Sequence, residues 1–149
     1  ANKLVAEALN NKVLRQFSSI DSWKAEVTPP GANSRFDFAL YNNSHTQFME
    51  VKSVTLADGN KGYFPDAVTE RGAKHCLELA RLAKSGIKTS LLFCVQHTAI
   101  DTVSVAEHID PTYAKCVKTA QDAGVEVIAA ACSIDEQKII LNQSLPVIL

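Results

Sequence analysis

Leu91-Leu92-Phe93-Cys94-Val95 is an unbroken apolar run, and Val125 to Ala131 is a second one. Runs without polar alternation suit strands covered on both faces, the usual situation of parallel strands inside a layered domain. A helix lies between them. Asp110 is placed to cap its first turn, Pro111 fits the first helical position, and Gly124 stops it. Strand, helix and strand in that order require a parallel crossover. This stretch commits the chain to an α/β fold.

The earlier part adds antiparallel pairing. Residues 2–14 read as a helix with an apolar stripe of Leu4, Val5, Ala8, Leu9 and Val13. Ile20 to Val27 reads as a strand, ended by the turn Thr28-Pro29-Pro30-Gly31. Ser34 to Tyr41 and Thr46 to Val54 read as two strands joined through Asn42–His45, a hairpin. Residues 57–63 are polar and glycine-bearing and read as a mobile loop. A further helix begins after Pro65, keeps Ala73, Cys76, Leu77, Ala80 and Ala83 at helical spacing, and stops at Gly86. Ile87 to Val95 follows as a strand, and Lys138 to Leu141 is a short final one. The expected architecture is one mixed β-sheet flanked by helices, a single domain over residues 1–149.

Apolar residues make up 46% of the chain and the net charge is -1, which argues against a disordered chain. No run of about 18 apolar residues crosses a membrane, and the N-terminus lacks the pattern of a secretory signal. A cytoplasmic protein is expected. Near-neutral charge excludes a broadly basic nucleic-acid binder but leaves room for a local patch. Cys76, Cys94, Cys116 and Cys132 form no C-x-x-C pair and read as buried, reduced side chains.

The chemistry sits in the hairpin. Phe36, Phe38 and Leu40 share one face of the first strand, with Arg35, Asp37 and Ala39 on the other. In the second strand Met49 and Val51 oppose Glu50 and Lys52. If the four-residue turn pairs Tyr41 with Thr46, Phe38 faces Met49 and Phe36 faces Val51. Asp37 then lies opposite Glu50, and Arg35 opposite Lys52. A slip of one residue would mix the faces, so the apolar pattern supports this register. Opposed carboxylates are destabilising, and something must compensate them. A divalent cation held by Asp37 and Glu50 is the simplest candidate, and hard oxygen ligands suit Mg²⁺ or Mn²⁺. Lys52, two residues beyond Glu50 on the same face, is placed to assist a water or a developing anion. Such a set fits phosphodiester hydrolysis. The E-x-K spacing alone is common; Glu136-Gln137-Lys138 repeats it in a polar turn with no acidic strand beside it.

Longer motifs narrow the reading. Asn33-Ser34-Arg35-Phe36-Asp37-Phe38, Glu50-Val51-Lys52-Ser53-Val54-Thr55-Leu56 and the run from Phe64 through Thr69-Glu70-Arg71-Gly72 to His75 resemble the sugar fermentation stimulation protein A family. So do Leu92 to Gln96, Ile109 to Ala114 and Gly124 to Val127. The resemblance implies a restriction-endonuclease-like domain of the PD-(D/E)xK type, DNA as partner, and a link to regulation of sugar metabolism. It matches Asp37 to the superfamily's first acid, Glu50 and Lys52 to its E-x-K, and Glu7 to a further acid on the first helix. The family's smaller OB-like first domain is expected to be absent here. The implied activity is Mg²⁺-dependent DNA cleavage; the alternative is a catalytically silent DNA-binding regulatory module.

Around that site, Arg71, Lys74 and His75 at the start of the second helix, with its backbone amides, are candidate phosphate contacts. Arg35 shares the face of Asp37 and is another. Lys61 is a more remote one. Trp23 reads as core, Glu78 and Arg81 as ordinary surface, and His45, His97 and His108 have no metal spacing.

Overall fold

The structure is a computed structural model and describes every residue except 97, 98, 136 and 137. His97 and the Glu136-Gln137 part of the second E-x-K triplet therefore lie outside the described residues. Helix α1 spans Asn2–Asn10, and strands β1 (Ser22–Val27), β2 (Phe36–Asn42) and β3 (His45–Val54) follow. Two short strands, β4 (Leu56–Asp58) and β5 (Lys61–Phe64), precede helix α2 (Glu70–Lys84). Strands β6 (Thr89–Val95) and β7 (Thr102–Val105), helix α3 (Pro111–Asp122) and strands β8 (Glu126–Asp135), β9 (Lys138–Leu145) and β10 (Val147–Ile148) complete the chain.

The main sheet has the order β1-β2-β3-β6-β8-β9. Its centre is parallel, β3 to β6 and β6 to β8, and its flanks are antiparallel. The expected mixed sheet flanked by helices is the observed one. All of β6 is buried, as its unbroken apolar run requires. One face packs under α1 through Val5, Ala8 and Leu9, continued by Leu14, Phe17 and Ile20. The other face packs under α2 and α3 through Cys76, Leu79, Tyr113 and Val117. The four cysteines are free and buried. Among the described residues no helix is long and apolar enough to cross a membrane.

Several elements differ from the sequence reading. The first helix ends at Asn10, not residue 14, because Lys12 turns into the left-handed region (φ 55°). The chain then makes a 3-10 turn at Arg15–Phe17, which still buries the apolar side chains on the α1 face. Residues 57–63 are not a loop. They form most of the β4–β5 hairpin of a second sheet, ordered β10-β7-β5-β4. Gly59 makes its turn at φ +60°, and Gly62 lies so close to β3 that a Cβ would stand 2.8 Å from Val54 Cγ1. The last long strand, β9, continues to Leu145.

Both long helices carry side-chain caps, that of α3 the one its sequence implies. Thr69 Oγ1 accepts from Gly72 N at 2.9 Å at the start of α2. Asp110 Oδ1 accepts from Tyr113 N at 2.9 Å at the start of α3. The other oxygen of Asp110 accepts from Thr69 N at 2.8 Å, so one buried carboxylate ties the two helix starts together. Gly72 permits this approach: a Cβ there would meet Tyr113 Cε1 at 3.0 Å.

Candidate active site

The β2–β3 pair has the register expected from the apolar pattern: Tyr41 pairs with Thr46 and Phe38 with Met49. Phe38–Met49 is the last Cα pair of this ladder. Beyond it the strands part, and side chains replace the main-chain bonds. Val51 N donates to Asp37 Oδ2 at 2.8 Å, and Asp37 N donates to Glu50 Oε1 at 3.3 Å. Each acid thus accepts an amide of the opposite strand. Phe36 follows this parting. It does not share the face of Phe38 but packs on the α2 side, beside Phe48 and His75.

Glu50 is 3% exposed in the middle of the sheet, between β2 and β6. Its Oε2 contacts His75 Nδ1 and lies 3.3 Å from Lys52 Nζ. Lys52 Nζ is also 3.5 Å from His75 Nδ1. Asp37 Oδ1 accepts from Asn2 Nδ2 of α1 at 2.9 Å. The chain's own donors therefore contribute to balancing the opposed acids. Balance is uneven. Burial first, and then the hydrogen bond and charge of Glu50, push the Asp37 carboxyl up to about 6. Burial alone would raise Glu50 too, but His75, the hydrogen bond with Asp37 and the Lys52 ammonium outweigh it and hold Glu50 at about 2. Between about pH 2 and about pH 6 the pair holds one proton, on the Asp37 side.

Asp37, Glu50 and Lys52 converge as expected. Glu7 does not join them by any described contact: it is exposed on α1, and Asn2 is the α1 residue in contact with Asp37. Arg35, Arg71, Lys74 and His75 line one open cleft of about 630 Å³. Arg35 is not opposite Lys52, because β2 starts only at Phe36; it pairs with Glu26 at 3.7 Å, both side chains well exposed. Arg71 and Lys74 are exposed, whereas His75 is buried and turns Nδ1 toward Glu50, away from a purely phosphate-facing role. Its signal was present in the sequence: His75 stands four residues before Leu79, in the stripe that α2 buries. Leu77, assigned to that stripe, is instead half exposed at 50%. Gly72 N is already bonded to Thr69, which takes one of the α2 amides out of phosphate binding. Glu78 and Arg81 form a surface ion pair at 2.8 Å. Lys61 is exposed on β5, and Trp23 packs edge-on against Phe38 while donating to Asn10 Oδ1. Two hard carboxylates meeting where β2 and β3 part suit a divalent cation, although no group of three His, Cys, Asp or Glu among the described residues forms a metal site.

The family model for the sugar fermentation stimulation protein RE domain matches residues 1–138. The chain belongs to this family. A sugar fermentation stimulation protein homolog of Alteromonas mediterranea is 74% identical over the whole chain, which covers 65% of that relative. The homolog of Pseudoalteromonas atlantica is 49% identical over the whole chain and 64% of its own length. The chain thus spans just under two thirds of these curated relatives. The structure of Pyrococcus furiosus SfsA in complex with Ca2+ superimposes with a TM-score of 0.87 at 26% identity, over 96% of this chain and 62% of that one. The fold of the family is the restriction-endonuclease-like mixed sheet described above.

Proposed function

We propose that this chain is the nuclease-like, DNA-binding domain of a sugar fermentation stimulation protein linked to regulation of sugar metabolism, and that it hydrolyses phosphodiesters with Mg²⁺ or Mn²⁺. The observation that carries the reading is the convergence of Asp37, Glu50 and Lys52 where β2 and β3 part. Asp37 and Glu50 would hold the cation, which lowers the cost of forming hydroxide and of negative charge on the phosphoryl oxygens. Lys52 orients the attacking water and meets developing charge. Water oxygen bonds to phosphorus, one P–O ester bond breaks, and the leaving oxygen takes a proton. Arg35, Arg71 and Lys74 in the adjoining cleft hold neighbouring phosphates. Glu7, on α1 like Asn2 but in no described contact with either acid, is the more remote acid of this reading. That the Pyrococcus relative was solved with Ca2+ agrees with a divalent site in the family.

One observation favours the second reading, a silent DNA-binding module. His75, Lys52, Asn2 and two backbone amides already satisfy both acids without a metal. Cleavage of single-stranded, duplex and branched DNA at low salt, with Mg²⁺ or Mn²⁺, separates the two. The first reading expects metal-dependent cleavage that Lys52→Ala lowers by about 100-fold or more, in the range of lost charge stabilisation. Equal cleavage by wild type and variant removes Lys52 from the reaction, and no cleavage by wild type leaves the silent module.

A further inference from the structure

We propose that His75 is the positioning residue of this site: it holds Glu50 by Oε2 and so fixes the carboxylate plane that presents Oε1 beside Asp37. The cation-related part rests on the reading of Asp37 and Glu50 as cation ligands.

The geometry gives His75 two fixed sides. Its ring stands edge-on to Phe36 at 6.1 Å, next to Asp37 in sequence, and its Nδ1 contacts Glu50 Oε2. It is 6% exposed and held in the buried stripe of α2 between Gly72 and Leu79. An ionised carboxylate only accepts hydrogen bonds, so Nδ1 carries the hydrogen. A protonated Nδ1 cannot accept from Lys52. The 3.5 Å approach between them is therefore contact without a bond. Lys52 Nζ stands 3.3 Å from the same oxygen, so Oε2 meets both the imidazole and the ammonium. Of the two, His75 is the group held rigidly, by the packing of α2. Without it, Glu50 keeps on Oε2 only the flexible Lys52 side chain and loses the support that fixes its plane. A partner behind a ligating group commonly matters in this way: removing one costs about 10–100-fold in metal affinity.

Three variants test this. His75→Asn places an amide donor near the position of Nδ1, His75→Gln places one near Nε2, and His75→Leu places none. Mn²⁺ affinity is measured by calorimetry on each folded protein, and metal-free crystal structures give the Glu50 plane. The expected result is at least about tenfold weaker Mn²⁺ binding for the Leu and Gln variants, with Asn close to wild type. In the metal-free crystals the Glu50 carboxylate plane is expected to turn in the Leu and Gln variants only. If the Leu variant does not fold, the Asn and Gln variants carry the comparison alone. Equal Mn²⁺ affinity in wild type and variants, or an unmoved Glu50 plane, overturns the proposal. If wild type binds no Mn²⁺ while the crystals show the movement, the cation reading falls and the positioning role stands.

Discussion

Asp110 and Asp37 are two inward-facing aspartates with nearly the same local geometry and opposite consequences. Asp110 accepts from Thr69 N at 2.8 Å and from Tyr113 N at 2.9 Å. Asp37 accepts from Val51 N at 2.8 Å and from Asn2 Nδ2 at 2.9 Å. Each carboxylate therefore has one donor per oxygen. The difference lies in what else each one faces. Asp110 faces the starts of two helices, where a negative charge is welcome. Asp37 faces Glu50, and with burial this lifts its carboxyl to about 6. Hydrogen-bond satisfaction alone does not distinguish a structural acid from a reactive one; the neighbouring charge does.

That contrast breaks most visibly at Asp110. Asp110→Ala removes the cap of α3 and strands the amide of Thr69, and we expect a loss of about 2–4 kcal/mol of stability by chemical denaturation, the sum of a cap and a buried acceptor. Asp110→Asn, which keeps one acceptor oxygen, should lose less. A change under about 0.5 kcal/mol for Asp110→Ala would end its structural assignment.

Asp37→Asn should act in the other direction. In EDTA at pH 8 it removes a charge that the fold holds unwillingly, and we expect about 1 kcal/mol of added stability, discounted for the partial exposure of the site. Strong destabilisation would instead make Asp37 an acceptor like Asp110.

The pH dependence sharpens the same point. Between about pH 4 and 6 the folded protein binds more protons at Asp37 than the unfolded chain does, so metal-free stability falls as pH rises and levels off above 6. Asp37→Asn should flatten that limb. Glu50 has the opposite sign: its contribution is present above about 4.5 and is lost as pH falls toward 2. Melting temperatures from pH 3 to 8 with both proteins check it; an unchanged limb in the variant would assign the proton elsewhere.

The smallest effect is expected in the cleft. Arg71→Ala and Lys74→Ala should each reduce the salt slope of DNA binding by about one unit, with little change in melting temperature. Unchanged slopes would remove this cleft from the DNA path.

The register that opposes Asp37 and Glu50 was readable because strand alternation has a period of two and the turn length fixes the phase. The start of α3 was readable from Asp110-Pro111, whose capping bond to Tyr113 is local, whereas that of α2 was legible only as lying beyond Pro65. The second sheet was not. Its strands are two to four residues long, and β4 and β5 expose polar side chains, so their pairing partners decide them. Nor could alternation place Phe36, whose turn toward α2 depends on the parting of β2 from β3. Asn2 reaches Asp37 across 35 positions of sequence, a contact that only the packing of α1 creates.

The shared clamp at Asp110 also shapes the field over the molecule. An aligned helix carries roughly half a positive charge at its beginning. In α2 and α3 those two ends meet at one carboxylate, whose full negative charge is about equal to their sum. The helices consequently project little net potential from that corner. In the proposed reading, attraction of a polyanion toward the neighbouring cleft falls to the long, exposed side chains of Arg35, Arg71 and Lys74. Such attraction is strongly screened by dissolved ions, so capture by this domain should vary with the ionic composition of its surroundings far more than its folding does.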